Sequence, residues 1–327
     1  MDSADRCFAF LVGTSVVFLG YGACGVIAFA LAPLVAGDQG ASPVFGLLAL
    51  ALVIGLAGAS AALGARAAWR HRGDNARLVG ELERAAVAPG AELRAAAREA
   101  GLDGRVVAVA SADPFSFVFG IFRPRVAIAT GMLERLSPAE LRAALEHERY
   151  HVRNLDPLRE LVGRVLAEAL FFLPLAASLH RRYATERELA ADRRAAAICG
   201  RRPLAGALLA ALEGSGPAPR TGVGLAGSAL LASRLAQLET GRAAPVEEVG
   251  ARAVLRSALG LAAVLALFLA AVYGVGGGAA VARLVASELA PANLLAGTAV
   301  CLAPVACLVG LGYGRLAWGA RRALPPG

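Results

Sequence analysis

The sequence contains no lysine, so all 33 of its basic residues are arginine, in a chain rich in alanine and with 38 glycines. Such a bias reads as codon composition. Nucleic-acid binding would need a basic face interleaved with aromatics on a compact domain, and aromatic residues make up only 6% of the chain. Nucleic acid is therefore excluded as a partner despite a formal charge of +8. Charge of either sign is scarce, at 18% against about 25% in soluble domains. With 57% hydrophobic residues and a mean hydropathy of +0.60, a purely water-soluble globule is excluded as well. The five cysteines (Cys7, Cys24, Cys199, Cys301, Cys307) include no Cys-x-x-Cys pair. They read as small hydrophobes, which leaves out a disulfide framework or a zinc knuckle.

What the chain does have is long uncharged runs. No charge falls between Arg6 and Asp38, a stretch longer than the ~20 apolar residues needed to cross hydrocarbon and than the ~7–15 of a signal-peptide core. It predicts an uncleaved span at about residues 9–34. Further uncharged runs predict spans at about 45–65, 257–282 and 289–314. Arginine accumulates after the second span (Arg66, Arg70, Arg72, Arg77), before the third (Arg252, Arg256) and in the tail (Arg315, Arg321, Arg322), while the short connectors carry only Asp38, or Arg283 with Glu288. The excess of positive charge on one side predicts that both termini and the middle segment, residues 70–252, face the cytoplasm. Residues 161–179 are apolar too, but Arg164 and Glu168 interrupt them and the uncharged part is too short to span. A buried or interfacial helix is expected there.

In the middle segment, alternation at residues 105–110, the aromatic stretch 115–119 and residues 125–129 predict short strands separated by Asp113-Pro114 and Arg123-Pro124. Residues 76–87 and 91–100 read as amphipathic helices and 203–213 and 225–239 as further helices, with a turn-rich connection, Gly-Ser-Gly-Pro-Ala-Pro, at 214–219. Ser137-Pro138-Ala139-Glu140 has the pattern of a capping box with proline at the first helical position, so a helix should begin there and run through at least residue 151.

That helix carries His147-Glu148-Arg149-Tyr150-His151, an H-E-x-x-H sequence. Histidines four apart project from one helical face toward a single point, with the imidazole nitrogens that zinc prefers. Glu148 lies beside that face, where it can take the proton of a metal-bound water. Half of the chain's four histidines fall in this arrangement. Catalytic zinc takes three protein ligands, so a third must come from elsewhere. Downstream, Glu188 and Asp192 are i, i+4 on a predicted helix; the first could bind zinc and the second hold a ligand histidine by a hydrogen bond. Two other readings stay open: these acids pair with Arg187, Arg193 and Arg194 on a solvated face, or Glu186 is the ligand, though it lacks an acidic partner four residues on.

With Asp156-Pro157-Leu158 after it, and Gly120-Ile121-Phe122-Arg123-Pro124-Arg125-Val126 and Leu136-Ser137-Pro138-Ala139-Glu140-Leu141 before it, the motif resembles the BlaR/MecR-type membrane zinc metallopeptidases over residues 105–200. The four-span layout is loosely similar too. The resemblance implies a gluzincin-type site: zinc held by His147, His151 and Glu188, Asp192 supporting a ligand histidine, Glu148 as the catalytic base. Antibiotic-sensing members of that family carry a penicillin-binding domain after the last span; with only residues 315–327 beyond it here, that sensor is expected to be missing.

The expected protein is mainly α and integral to a bacterial cell membrane: two transmembrane helices in residues 1–69, a cytoplasmic α+β zinc metallopeptidase domain at 70–252, and two further transmembrane helices in 253–327. Because the zinc ligands must meet, the chain between them must cross the bilayer an even number of times. Its expected partners are the lipid bilayer and a protein or peptide substrate, with a repressor as one form the substrate could take. Val126, Ala127 and Ile128 are an expected edge strand for extended substrate, with an ordinary core strand as the alternative. His180 and Tyr183 are expected candidates for steadying the oxyanion or contacting substrate. Two rival functions are a housekeeping membrane protease of HtpX or CAAX-prenyl-protease type, and a non-catalytic membrane scaffold or signal transducer with structural zinc.

Overall fold

The computed structural model describes residues 3–16, 43–212, 223–224, 231–242, 246 and 249–272, and they are mostly helical. The expected span at 289–314, most of that at 9–34, the end of that at 257–282 and the connection at 214–219 lie outside the described residues.

A first helix, α1, covers residues 3–16. The second, α2 (Pro43–Arg84), is 42 residues long. Among the described residues, one helix is long and apolar enough to cross a membrane, and it lies within α2. At 1.5 Å per residue α2 is about 60 Å long, roughly twice the hydrocarbon thickness. The separate helix expected at 76–87 is instead the arginine-bearing end of α2, because Ala, Arg, Leu and Glu are good helix formers and no proline intervenes. Its last expected residues form a two-residue strand, β1 (Ala86–Val87).

By its internal packing the chain divides into two units: Met1–Phe8, Arg66–Val165 and His180–Glu248 in one; Ala9–Ala65, Leu166–Leu179 and Val249–Gly327 in the other. The first unit contains α3 (Ala91–Glu99), β2 (Val106–Val109), β3 (Ser116–Phe119), β4 (Arg125–Ala129), α4 (Thr130–Leu133), α5 (Pro138–Arg153), α8 (Arg201–Leu212), β5 (Val223–Gly224) and α9 (Leu231–Thr240). It also holds most of α6 (Asp156–Ala169) and of α7 (Pro174–Cys199).

The strands form one sheet in the order β1-β2-β4-β3-β5. β4 runs parallel to β2 and antiparallel to β3. Successive side chains face opposite sides: Val126 and Ile128 enter a core with Leu93, Leu141, Leu145 and Leu204, while Ala127 joins Phe117, Phe119, Val109 and Leu82. The expectation of an exposed substrate edge at Val126, Ala127 and Ile128 is thereby corrected. All three are fully buried and β4 is interior, as suits an apolar run covered on both faces.

Two glycines are required by close approach. Gly120 has φ +89°, and a Cβ there would press on the Arg123 carbonyl in the β3–β4 turn. At Gly131, whose N–H donates to Ser111 O at 2.8 Å, a Cβ would overlap the Ala112 carbonyl. Backbone cannot yield as a side chain can, so Gly131→Ala is expected to destabilise by about 1–3 kcal/mol, in the range of core overpacking. Thermal unfolding of the full chain in detergent measures it, and an unchanged midpoint would mean that the loop accommodates the methyl.

In the second unit, α10 (Ala251–Val272) packs on the connection between α6 and α7. Leu175 N–H donates to Ser257 Oγ at 2.9 Å, and Gly260 lets the helix approach the Phe172 carbonyl. Residues 161–179, expected as one helix, are two helices meeting at residues 170–173. Pro174 cannot continue a helix but is favoured at the start of one, which places the break.

Candidate metal centre

The capping box forms as its spacing predicts: Ser137 Oγ accepts from Glu140 N–H, and the Glu140 carboxylate accepts from Ser137 N–H at 2.8 Å. α5 runs to Arg153, and His147, Glu148 and His151 are completely buried on it. Leu155 then takes φ +53°, a left-handed conformation that disfavours a side chain by roughly 1–2 kcal/mol. This sharp turn leads straight into α6. Asp156 Oδ2 lies 2.6 Å from His151 Nδ1.

α7 folds back along α6: Arg187 donates to Glu160 at 2.7 Å and Tyr183 to Asp156 Oδ1 at 3.0 Å. The return brings Glu188 to the paired histidines. Its carboxylate oxygens lie 3.6 Å from His147 Nε2 and 3.7 Å from His151 Nε2, and the two Nε2 atoms are 3.2 Å apart. One turn further on, Asp192 Oδ1 lies 2.9 Å from His147 Nδ1.

These contacts decide the tautomers. Carboxylates only accept, so a proton on each Nδ1, facing Asp192 at 2.9 Å and Asp156 at 2.6 Å, would turn both Nε2 lone pairs toward Glu188. In that tautomer three acceptors converge, their ligand atoms within 4.8 Å of one another. Such a set of two nitrogens and one oxygen fits zinc, with backing carboxylates of the kind that orient ligand histidines. The electrostatics call for positive charge. Burial alone would lower the His147 pKa, but hydrogen bonding with Asp192 and Glu188 lifts it to about 9. Burial alone would raise that of Glu188, but His151, His147 and Arg234 hold it down at about 2.

Glu148 is placed differently. Its Oε1 accepts from Ser116 Oγ of β3 at 3.1 Å, and its Oε2 is buried without a hydrogen-bond partner. Burial raises its pKa against the pull of His147 and His151. A carboxylate so held beside the histidines has one oxygen oriented and one available to take a proton.

The other expected residues lie elsewhere in the network. The Tyr183 hydroxyl is committed to Asp156, which departs from the oxyanion or substrate contact expected of it. His180 Nε2 lies 3.3 Å from Glu160, whose pKa is held well below the glutamate range: burial opposes this, but Arg187, His180 and Arg164 prevail. Glu186, the rival ligand, accepts from Ser3 and pairs with Arg182. The sequence reading did not assign Asp156, Ser116 or Arg234 to the site. Asp156 had a local signal, an acid five residues past the second histidine across a turn. Arg234, 42 residues beyond Asp192 and bound to it, had none.

An α/β unit with H-E-x-x-H on its central helix and a carboxylate returned from a later helix has the layout of a metallopeptidase centre. Residues 43–238 match the family described as BlaR1 peptidase M56, and the chain belongs to that family. A 48-residue stretch, 15% of this chain and 16% of the relative, is 42% identical to Protease HtpX homolog 2 of Methanosarcina mazei. The chain thus matches about one-sixth of that relative's length. No solved structure matches the chain.

Proposed function

We propose that this protein is a zinc-dependent endopeptidase of a bacterial cell membrane, with four transmembrane helices and a cytoplasmic active site, hydrolysing a peptide bond of a cytoplasmic or membrane-proximal protein in regulated signalling. The observation that carries the reading is the convergence of His147, His151 and Glu188 around one point, with Glu148 beside it. The membrane layout rests on the four uncharged runs and the arginines flanking them.

His147, His151 and Glu188 would hold the zinc, which when bound would polarise the scissile carbonyl and acidify water. Glu148 takes the proton of the attacking water through the oxygen that Ser116 leaves available. Asp192 and Asp156 keep both imidazoles in the ligand tautomer. Asp156→Asn should therefore weaken zinc binding about 10- to 100-fold, the usual effect of losing such a partner. Competition with a chromophoric chelator measures this, and wild-type affinity would show that Asp156 only packs the turn.

The function is tested by comparing newly formed protein N-termini in cells carrying the wild-type chain or Glu148→Gln. A small set of N-termini dependent on Glu148 is the expected result; identical profiles would overturn the peptidase reading. The stretch shared with Protease HtpX homolog 2 favours a second reading, a housekeeping membrane protease. Under it, the dependent N-termini would come from many unrelated membrane proteins.

A further inference from the structure

α9 reaches the centre from 42 residues beyond Asp192. Arg234, 1% exposed, grips that carboxylate with two parallel hydrogen bonds, Nε to Oδ2 and Nη2 to Oδ1, both 2.7 Å. Its remaining nitrogen, Nη1, is 3.8 Å from Glu188 Oε2. Three residues on, Gln237 Nε2 donates to the Leu189 carbonyl at 2.9 Å, and Gln237 Oε1 accepts from Arg193 Nη1 at 3.1 Å. α9 is thus pinned to α7 on the turns that carry Glu188 and Asp192.

We infer that Arg234 is a positioning residue for the metal centre, its guanidinium fork fixing the Asp192 carboxylate that in turn orients His147. An aspartate side chain has two rotatable bonds, and one contact to an imidazole leaves its plane free to turn. Two parallel bonds to a rigid guanidinium set that plane. Asp192 Oδ1 is shared between Arg234 Nη2 and His147 Nδ1, so a change in the fork is passed directly to the ring. Charge supports the same role: Glu148, Asp156, Glu188 and Asp192 are all buried there, and a permanently protonated arginine offsets part of their repulsion before any metal arrives. A buried ion pair kept for stability alone has little to recommend it, since apolar residues of similar volume do as well or better.

The inference rests on the proposed metallopeptidase reading, and the experiment separates the two. Zinc affinity of the full chain in detergent is measured by chelator competition, with the visible absorption of the cobalt(II) form as a readout of ligand geometry. The variants are Arg234→Gln, Arg234→Lys, Asp192→Asn, Asp192→Asn with Arg234→Gln, and His147→Ala. Arg234→Gln should weaken zinc binding by the folded protein about 10- to 100-fold and alter the cobalt spectrum. Arg234→Lys, which keeps the charge and loses the fork, should fall in between; it carries the test if the glutamine variant does not fold. In the Asp192→Asn background the arginine substitution should add nothing, because the two act as one unit. Wild-type affinity and spectrum in the arginine variants, or additive losses in the double variant, would overturn the inference while His147→Ala still loses zinc. Undiminished zinc binding by His147→Ala would overturn the metal site itself.

Discussion

Replacing Glu148 by glutamine is expected to slow peptide hydrolysis by about 10²- to 10⁴-fold, the usual contribution of a general base, with zinc content and folding unchanged. Glutamine has the same shape and keeps an oxygen for Ser116, so the packing around α5 has no reason to move. What it loses is the ability to take up a proton. Glu148 accepts from Ser116 and lies beside the histidines, so its removal leaves the converging ligand atoms in place. Single-turnover cleavage of a substrate found by N-terminal profiling would measure the rate, and metal analysis the zinc. A glutamine variant with full activity would rule out Glu148 as the base; one that loses zinc would assign it to the metal instead.

The second large effect is expected at Glu188. Glu188→Gln leaves two imidazoles and a neutral amide oxygen, a much poorer donor for a divalent cation. Because loss of a residue that merely backs a ligand weakens binding about 10- to 100-fold, loss of the carboxylate itself should exceed that and abolish activity at trace zinc. The same loss should follow from dialysing the wild-type protein against a strong chelator, with activity returning on addition of zinc. Substitution also leaves the buried Arg187 and Arg234, 3.7 and 3.8 Å from this carboxylate, less well neutralised. Part of the effect could thus be structural, and the unfolding midpoint of the metal-free proteins separates the contributions. A Glu188→Gln protein holding one zinc as tightly as wild type would remove this residue from the ligand set.

Much of the site was legible because it is local. The start of α5 follows from Ser137, Pro138 and Glu140, whose side chains satisfy the first turn's own backbone. The shared face of His147 and His151, and that of Glu188 and Asp192, follow from four-residue spacing on a helix. The strands near 106–109, 116–119 and 125–129 were likewise visible in alternation and turn residues. Two errors came from judging a segment without its neighbours. Residues 161–179 have one apolar composition but two helices, because Pro174 starts a new one. The edge position expected for β4, against the alternative of an ordinary core strand, fails because only pairing order decides which strand lies outside, and β1, β2, β3 and β5 arrange themselves around it.

The amino-acid order alone carried the metal chemistry: residue types, helical spacing and end signals are properties of a few neighbouring residues and survive in any tertiary setting. It also carried the uncharged runs, since hydrophobic length needs no partner to be read. Folding decided which charges meet. The left-handed turn at Leu155 sets Asp156 against His151, the return of α7 delivers Glu188, and α9 supplies Arg234 across 42 residues. Pairings at that separation depend on how helices pack against one another, and a buried carboxylate looks the same in sequence whether it binds a metal, an imidazole or an arginine.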